Sequence, residues 1–253
     1  MQHPPLDDGA IASLERATLD AVAPPAVHDA LDGWLVPFDT STIGRATSAV
    51  PTRHHDLPDD SVGTIAALFT ARGLHGAYRV ADVAGLAPLQ EALRRHGYAP
   101  KQPTLVQVGT VAAMGALCPG MPLGQLSLQP VPAWSSVYLA EGLDPVDGAH
   151  RVQALSRSPH VVYAWVAGEE GQSIAAGTAA FSQGWASIHG MRTLPAHRGK
   201  GLAGRILATL ADAARARGLE RVFLQVEEGN TAALALYRRA GFTTAWRYHY
   251  WRK

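Results

Sequence analysis

One stretch, residues 191–219, constrains the fold of this chain most, because it reads as a strand, a short loop and a helix in direct succession. The loop places two glycines and two cations, Arg198-Gly199-Lys200-Gly201, immediately before the helix. Glycines at a helix start leave several backbone N–H groups free to converge on one point, and the helix end adds partial positive charge there. The loop therefore predicts a phosphate or pyrophosphate ligand at the start of this helix.

Charge and cysteine content narrow the remaining classes of protein. The 253 residues carry 22 basic and 21 acidic side chains, so the formal net charge is +1 and no strong field favours a nucleic-acid partner. A hydrophobic content of 47% suffices for one large domain or two small ones. The single cysteine, Cys118, excludes a disulfide within this chain and fits a reducing compartment. We interpret Cys118 as unreactive, because no partner for it is evident nearby.

The beginning of the sequence bears on localisation. The stretch MQHPPLDDGA carries acids and prolines where a secretory signal needs basic and then apolar residues. No run approaches the roughly 18 uninterrupted apolar residues that a membrane span requires. We therefore expect a soluble, cytoplasmic protein that has neither a membrane nor a nucleic acid as partner.

The C-terminal half is predicted to hold an antiparallel meander followed by two strand–helix units. The meander strands are expected at 161–167, 174–181 and 185–193, after a helix that ends over 150–156. The later elements are a helix at 202–217, a strand at 221–226, a helix at 232–239 and a strand at 246–251. A helical crossover joins strands 185–193 and 221–226, so these two strands should lie parallel.

The N-terminal half carries a fainter version of the same order. Its predicted elements are strands at 33–38 and 45–50, a helix at 60–72, a strand at 76–80, a helix at 87–96 and a strand at 104–110. The stretch LRRHGYAP at 93–100 parallels YRRAGFTT at 237–244, which indicates an internal repeat. Between the halves, residues 111–136 are rich in proline and glycine and read as a packed connector with one strand at 125–129.

Two motifs then indicate which family the C-terminal half resembles. The loop 198–203 fits the pattern Q/R-x-x-G-x-G/A, and about thirty residues later 230–242 fits N-x-x-A-x-x-x-Y-x-x-x-G-F. With this strand order, the half resembles the GNAT superfamily of acetyl-CoA-dependent N-acetyltransferases. The resemblance implies an α/β (α+β) fold of two GNAT-like domains, residues 1–120 and 121–253. Each would be a mixed, mostly antiparallel twisted sheet flanked by helices.

The N-terminal copy departs from the pattern where the phosphate loop should be. Residues 51–58 have no glycine run, and their acids oppose a phosphate group. We therefore predict a degenerate half that does not bind acetyl-CoA. His54, His55 and Asp56 lie in this stretch, but adjacent side chains rarely converge on one ion, so we expect no metal.

In the C-terminal half, the resemblance implies that acetyl-CoA, a co-substrate, lies in a V-shaped opening between strands 185–193 and 221–226. Its pantetheine arm would pair with backbone groups as an added strand, and Gly190 favours a bulge that frees those groups. The side chains of Arg198 and Lys200 either assist or are simply solvated. The implied cofactor-binding residues are Met191, Arg192, Thr193, Arg198, Gly199, Lys200, Gly201, Leu202, Ala203, Gly204 and Asn230.

The implied reaction is direct attack of a primary amine on the thioester. Tyr237 matches the residue that protonates the leaving thiolate, and a backbone N–H near Met191 could stabilise the oxyanion. Three sources of the general base stay open: Glu227, His189 and a water chain to solvent. By strand alternation His189 shares a face with Met191, and this face is either that of the cleft or that of the core.

The acceptor is expected to be a small molecule amine or an amino acid. The aromatic tail, Trp246, Tyr248 and Tyr250, together with the N-terminal half, would form the wall of its site. Two other functions stay open: a non-catalytic module that binds acetyl-CoA, and a transferase for a different acyl group. The sequence allows a monomer or a homodimer, and pseudo-twofold packing of the two halves within one chain makes the monomer plausible.

Overall fold

The computed structural model describes residues 6–253, and its strands join into one continuous sheet. The strands are β1 (Ala26–His28), β2 (Trp34–Phe38), β3 (Ser48–Pro51), β4 (Ala77–Ala81), β5 (Ala99–Thr110), β6 (Gln125–Ser127), β7 (Val161–Ala167), β8 (Ser173–Ser182), β9 (Trp185–Thr193), β10 (Arg221–Glu227) and β11 (Thr243–Arg252). The helices are α1 (Asp8–Val22), α2 (Ser61–Thr70), α3 (Ala87–Arg95), α4 (Val111–Gly115), α5 (Pro132–Ser135), α6 (Pro145–Arg157), α7 (Leu202–Arg215) and α8 (Thr231–Arg239). No helix within residues 6–253 is long and apolar enough to cross a membrane. The prediction about a secretory signal rests partly on residues 1–5, which lie outside the described residues.

The C-terminal half has the predicted order of elements. Strands β7, β8 and β9 form the antiparallel meander, and β10 pairs with β9 in parallel. Helix α7 connects these two parallel strands and packs on the sheet through an apolar face. That face includes Ile206, Leu207 and Leu210, which are all fully buried. Burial of such a face supplies most of a helix's stability in a protein.

The N-terminal half repeats the arrangement. Strand β3 pairs with β4 in parallel, α2 connects them, and α3 and β5 follow in the order of α8 and β11. Several predicted boundaries are wrong; β5, for example, begins at Ala99 and not at residue 104. Residues 45–50 were expected to form a strand, but Gly44–Ala46 is a 3-10 turn and β3 begins at Ser48.

The two halves exchange their last strands. Strand β11 of the C-terminal half lies between β4 and β5, and β5 of the N-terminal half lies between β11 and β10. The pairings are long: β5 pairs with β10 along 104–110 and with β11 along 99–108. One sheet runs through both halves, so the sheet marks no boundary between them. The domain boundary near residue 120 therefore stays a prediction.

Helix α1 belongs to the N-terminal half in sequence but packs on the C-terminal sheet, against β8 and β9. The Asp7 carboxylate caps it by accepting from the Ala10 N–H at 2.7 Å. The Trp185 indole donates to Ser13 Oγ at 2.9 Å. On the same helix, Glu15 forms an ion pair with Arg79 of β4, and both side chains are almost fully buried. Helix α1 therefore ties the two halves together.

The connector 111–136 packs on the protein, as predicted. The Arg205 guanidinium donates to the Pro122 carbonyl at 2.7 Å, and the Gly124 N–H donates to Thr209 Oγ1 at 2.8 Å. Both contacts fix the connector along α7, next to the predicted phosphate loop.

Candidate active site

The V-shaped opening predicted between two strands is present. Strands β9 and β10 pair only as far as Ile188 and Leu224. Beyond that point β9 continues beside β8 to Thr193, and β10 continues beside β5 to Glu227. The strands therefore separate, and a cleft of about 870 Å³ opens between them.

A bulge at Gly190 shapes one wall of the cleft. Gly190 has φ +62°, and the β8–β9 register shifts between the pairs Ala176–Arg192 and Thr178–His189. The extra residue breaks the alternation of faces. Met191 therefore packs with the α7 core, whereas His189 faces the other side, beside the Phe223 ring. The expectation that these two residues share a face is wrong for this reason.

The opposite end of the cleft is the glycine loop before α7. Gly199 and Gly201 have φ +77° and +75°, which glycine adopts without strain. Within residues 6–253, no hydrogen-bond partner is found for the backbone N–H groups of 199–204. These groups lie at a helix N-terminus, where partial positive charge accumulates. The geometry suits an anion with several oxygens, such as a pyrophosphate.

The structure brings almost all predicted site residues into this one cleft. Lys200 is the exception, since its side chain is exposed and does not line the cleft. The predicted residues that line it are Met191, Arg192, Thr193, Arg198, Gly199, Gly201, Leu202, Ala203, Gly204, Asn230, Tyr237, Glu227 and His189.

Helix α8 supplies two of these side chains. The Asn230 carboxamide caps the helix by accepting from the Ala233 N–H at 3.1 Å. Tyr237 is largely buried against the Phe242 ring, and burial raises its pKa to about 12. Its hydroxyl therefore stays protonated at neutral pH, as a general acid must.

The two candidate bases differ in environment. Glu227 is exposed at the end of β10, and its carboxylate accepts from the Gln102 side chain at 2.7 Å. His189 is buried, and burial together with the charge of Arg45 holds its pKa well below the usual value. Neither ring nitrogen of His189 has a hydrogen-bond partner in the described part of the chain. The imidazole is thus neutral and has free hydrogen-bonding capacity.

Sequence reasoning missed several side chains of the cleft. Arg45 comes from the N-terminal half, Gln225 from β10, and Tyr138 and Arg151 from the segment before β7. The Tyr138 hydroxyl donates to the Gly190 carbonyl at 2.6 Å and so supports the bulge. None of these residues lies in a motif, but Gln225 could have been found, because it lies near the end of the strand that borders the opening.

The aromatic tail does not line the cleft as expected. Tyr248 lies behind the wall, where its hydroxyl donates to Gln225 Oε1 at 3.0 Å. Trp246 instead packs against His54, with 5.0 Å between the ring centroids. The sheet explains the difference, because β5 separates β11 from the splayed pair of strands.

Comparisons with known proteins agree with this geometry. Residues 130–242 match the model of the Acetyltransferase (GNAT) family. Over 76 residues the chain is 36% identical to an uncharacterized N-acetyltransferase, YobR, of Bacillus subtilis, covering 30% of this chain and 31% of that protein. It is 37% identical over 105 residues to streptothricin acetyltransferase of Streptomyces lavendulae, covering 40% and 52%. It is also 31% identical over 106 residues to an L-methionine sulfoximine/L-methionine sulfone acetyltransferase of Pseudomonas aeruginosa, covering 39% and 61%. The chain thus spans less than two thirds of the length of these relatives.

Solved structures extend the likeness of fold to the whole chain. A GCN5-related N-acetyltransferase from Kribbella flavida has a TM-score of 0.67 at 16% identity, covering 96% of this chain and 95% of that chain. A tandem GNAT protein from the clavulanic acid biosynthesis pathway has a TM-score of 0.62 at 14% identity, covering 98% and 97%. In fold, the chain is similar to these two GNAT structures over almost its whole length. Residues 130–242, the part of the chain that matches the family model, resemble the GNAT acetyltransferase family.

Proposed function

We propose that this chain is an acetyl-CoA-dependent N-acetyltransferase that acts on a primary amine of a small molecule or an amino acid. The free backbone N–H groups of 199–204, at one end of an open cleft, carry this proposal. The names of two relatives, which refer to streptothricin and to L-methionine sulfoximine or sulfone, support a small acceptor.

The residues present fit acetyl-CoA. Its pyrophosphate would be held by the N–H groups of 199–204, with Arg198 beside them. Its pantetheine arm would follow the backbone of Met191–Thr193, where β9 has left β10 and no other strand of residues 6–253 pairs with that edge. Acetyl-CoA supplies the activated acyl group as a thioester.

Proton transfer would fall to side chains around the bulge. Tyr237, protonated at neutral pH, would donate to the leaving thiolate. His189 is neutral and unpartnered among the described residues, so it would accept a hydrogen bond from the incoming amine without adding positive charge. Glu227, at the open mouth of the cleft, or a water chain would carry the proton to solvent.

We propose that the N-terminal half does not bind acetyl-CoA, because its loop fills its own helix start. The Ser61 N–H, at the start of α2, donates to the Pro58 carbonyl at 3.1 Å. Arg53 is held by Asp32 and by the Asp56 carbonyl, which keeps the loop folded back. The domain division 1–120 and 121–253, a monomeric state and a cytoplasmic location are also proposals, and the last rests on the lone cysteine.

The test is CoA thiol release from acetyl-CoA against a panel of amines and amino acids that includes streptothricin and L-methionine sulfoximine. We expect turnover with at least one acceptor and a thermal shift with acetyl-CoA alone. Tyr237→Phe should lower kcat by about 10²-fold, because loss of a general acid has effects of that order, and should leave the thermal shift intact.

Tyr163→Phe is the matched control, because it also removes a buried tyrosine hydroxyl, one that donates to the Leu155 carbonyl away from the cleft. Its kcat should remain near wild type. A thermal shift without turnover on any acceptor would instead support a non-catalytic acetyl-CoA-binding module. Absence of both would refute the proposed function, and faster release from a longer acyl-CoA would reassign the acyl group.

A further inference from the structure

Arg45 is the one residue of the described cleft lining that precedes the connector 111–136. It sits in the 3-10 turn Gly44–Ala46, and the residues on both sides of it are fixed. Ile43 and Ala46 are buried in an apolar cluster with α1 and α6. Gly44 packs so closely on Tyr250 that a Cβ there would come within 2.8 Å of the ring. The turn therefore holds Arg45 at a defined position on the cleft wall.

The guanidinium of Arg45 has no countercharge in the described structure. It makes no ion pair within residues 6–253, and its Nε is buried without a hydrogen-bond partner. Its charge nevertheless reaches the cleft, because it contributes to lowering the pKa of His189. A half-buried cation that lacks a partner is costly unless a ligand supplies one.

The guanidinium of a second cleft arginine, Arg192, lies over the Tyr138 ring, 5.8 Å from its centroid. Arg192 lies on β9 past the bulge and makes no ion pair with any residue that the structure describes. Burial and the neighbouring Arg151 lower its pKa. The described lining holds five arginines and one carboxylate, that of Glu227, and only Arg151 among these arginines is paired with a carboxylate, that of Asp147 at 2.6 Å. These arginines are Arg45, Arg151, Arg192, Arg198 and Arg239.

This charge balance restricts the amine that can enter. A simple cationic amine would be repelled by Arg45 and Arg192 and would bring nothing to neutralise them. An amine that also carries a carboxylate satisfies the guanidinium through charge-assisted hydrogen bonds, with two parallel bonds available to the planar fork. The surrounding cations would also favour the neutral, nucleophilic form of its amino group.

We propose that the acceptor is an amine that bears a carboxylate, and that Arg45 of the N-terminal half binds this carboxylate beside His189. The inference rests on the proposed function and narrows its substrate class to amino acids and related amino-carboxylates. It also gives the N-terminal half a role, which is to complete the acceptor site of the other half.

The experiment compares each L-amino acid with its C-terminal amide as acceptor, by CoA thiol release, in the wild type, Arg45→Gln, Arg45→Lys and Arg95→Gln. The last variant is the control, because it removes an exposed cation at the end of α3. We expect the wild type to prefer the acid. Arg45→Gln should raise KM for the acid about 30-fold with a smaller change in kcat, a loss typical of one hydrogen-bonded charge. Arg45→Lys should recover part of this loss, because it keeps the charge without the fork.

The amide supplies the decisive comparison. Arg45→Gln should change KM for the amide little, so the preference for the acid disappears in this variant and persists in Arg95→Gln. Preference of the wild type for amides, or an unchanged acid-to-amide ratio in Arg45→Gln, would overturn the inference. An acceptor that carries a phosphonate and outperforms the carboxylate would reassign the anion and so also overturn it.

Failure of the inference can be told apart from failure of the proposed function. The thermal shift with acetyl-CoA tests the cofactor site alone and should be equal in all four proteins. Should no acceptor turn over, thermal melts at saturating CoA give a second readout. A shift with the acids that is absent with the amides and lost in Arg45→Gln supports the inference, and its absence overturns it.

Discussion

Burial of His54 in the N-terminal half makes the stability of the protein depend on pH. Its ring packs edge-on against Trp246. Burial lowers its pKa to about 4 from a usual value of 6.5. The unfolded chain therefore binds more protons than the folded chain between these two pH values, so stability rises with pH across that window. The contribution of neutral His54 is fully present above pH 6.5 and is lost as the pH falls towards 4.

His54→Phe should keep the ring contact and remove this titration. Between pH 7.5 and pH 5, we expect the free energy of unfolding of the wild type to fall by about 2 kcal/mol more than that of the variant. Denaturant unfolding at the two pH values measures the difference. His96→Phe, on the exposed end of α3, is the control and should retain the wild-type dependence. Equal pH dependence in wild type and His54→Phe would show that His54 is not held neutral.

Single residues of the cleft could be predicted from the sequence only where they lie in a motif or have a local backbone reason. Tyr237 and Asn230 lie in a motif, and the glycines of 199–201 have a local backbone reason, so both groups could be assigned from the sequence. Arg45 could not be assigned from the sequence. The sequence around an arginine on a surface turn does not show whether the side chain enters a cleft of the other half. The face that His189 shares with Met191 in the prediction is wrong, because the bulge at Gly190 breaks the alternation.

At the scale of the elements, the start of α7 shows how backbone conformation alone can prepare a site for the proposed ligand. Its free N–H groups exist because two glycines take positive φ and turn the chain into the helix. A side chain on either glycine would strain that conformation by roughly 1–2 kcal/mol. The resulting shift would displace the N–H groups from their common focus.

Gly199→Ala and Gly218→Ala form a matched pair for this loop. Both glycines have positive φ, +77° and +69°, and an added Cβ at either would meet no atom of the described residues within 4 Å. The two variants should therefore lose similar stability. We expect only Gly199→Ala to raise KM for acetyl-CoA, by about tenfold, because Gly218 lies beyond the far end of α7. Equal KM values in the two variants would contradict a phosphate-binding role for the loop.

Helix α1 was the largest element that the sequence analysis overlooked. A helical signal was present, since Ile11, Leu14, Ala17 and Ala21 recur at helical spacing and Asp7 can cap the start. Its location was not predictable in the same way. The helix packs on strands more than a hundred and fifty residues later, and its ion pair to Arg79 joins two distant segments.

At the scale of the whole molecule, the order of strands within each half could be predicted from the sequence, but the way in which the two halves join could not. Strand order and crossover direction within each half follow from local periodicity and the handedness of crossovers, so both could be anticipated. The exchange of β5 and β11 could not, because a strand that pairs with its own half and one that pairs with the other have the same pattern. As a consequence, the strands of each half are completed by one strand from the other half.

Fragments 1–120 and 121–253 should therefore fail to fold when produced separately. The C-terminal fragment lacks β5 and leaves β10 and β11 with unpaired edges, while the N-terminal fragment lacks β11 beside β4. We expect no cooperative thermal transition for either fragment alone, and a cooperative transition with an acetyl-CoA shift when the two are produced together. A cooperative transition of 121–253 alone would show that the exchange is dispensable.

The position of β11 also matters while the chain is being synthesised. Tyr78 of β4 pairs with Trp251, so β4 and β5 emerge from the ribosome long before the strand that fits between them. Until β11 arrives, their backbone edges are open to other nascent chains, which is the situation that promotes aggregation. Translation speed and chaperone supply should therefore govern the yield of this protein more than the stability of the finished sheet.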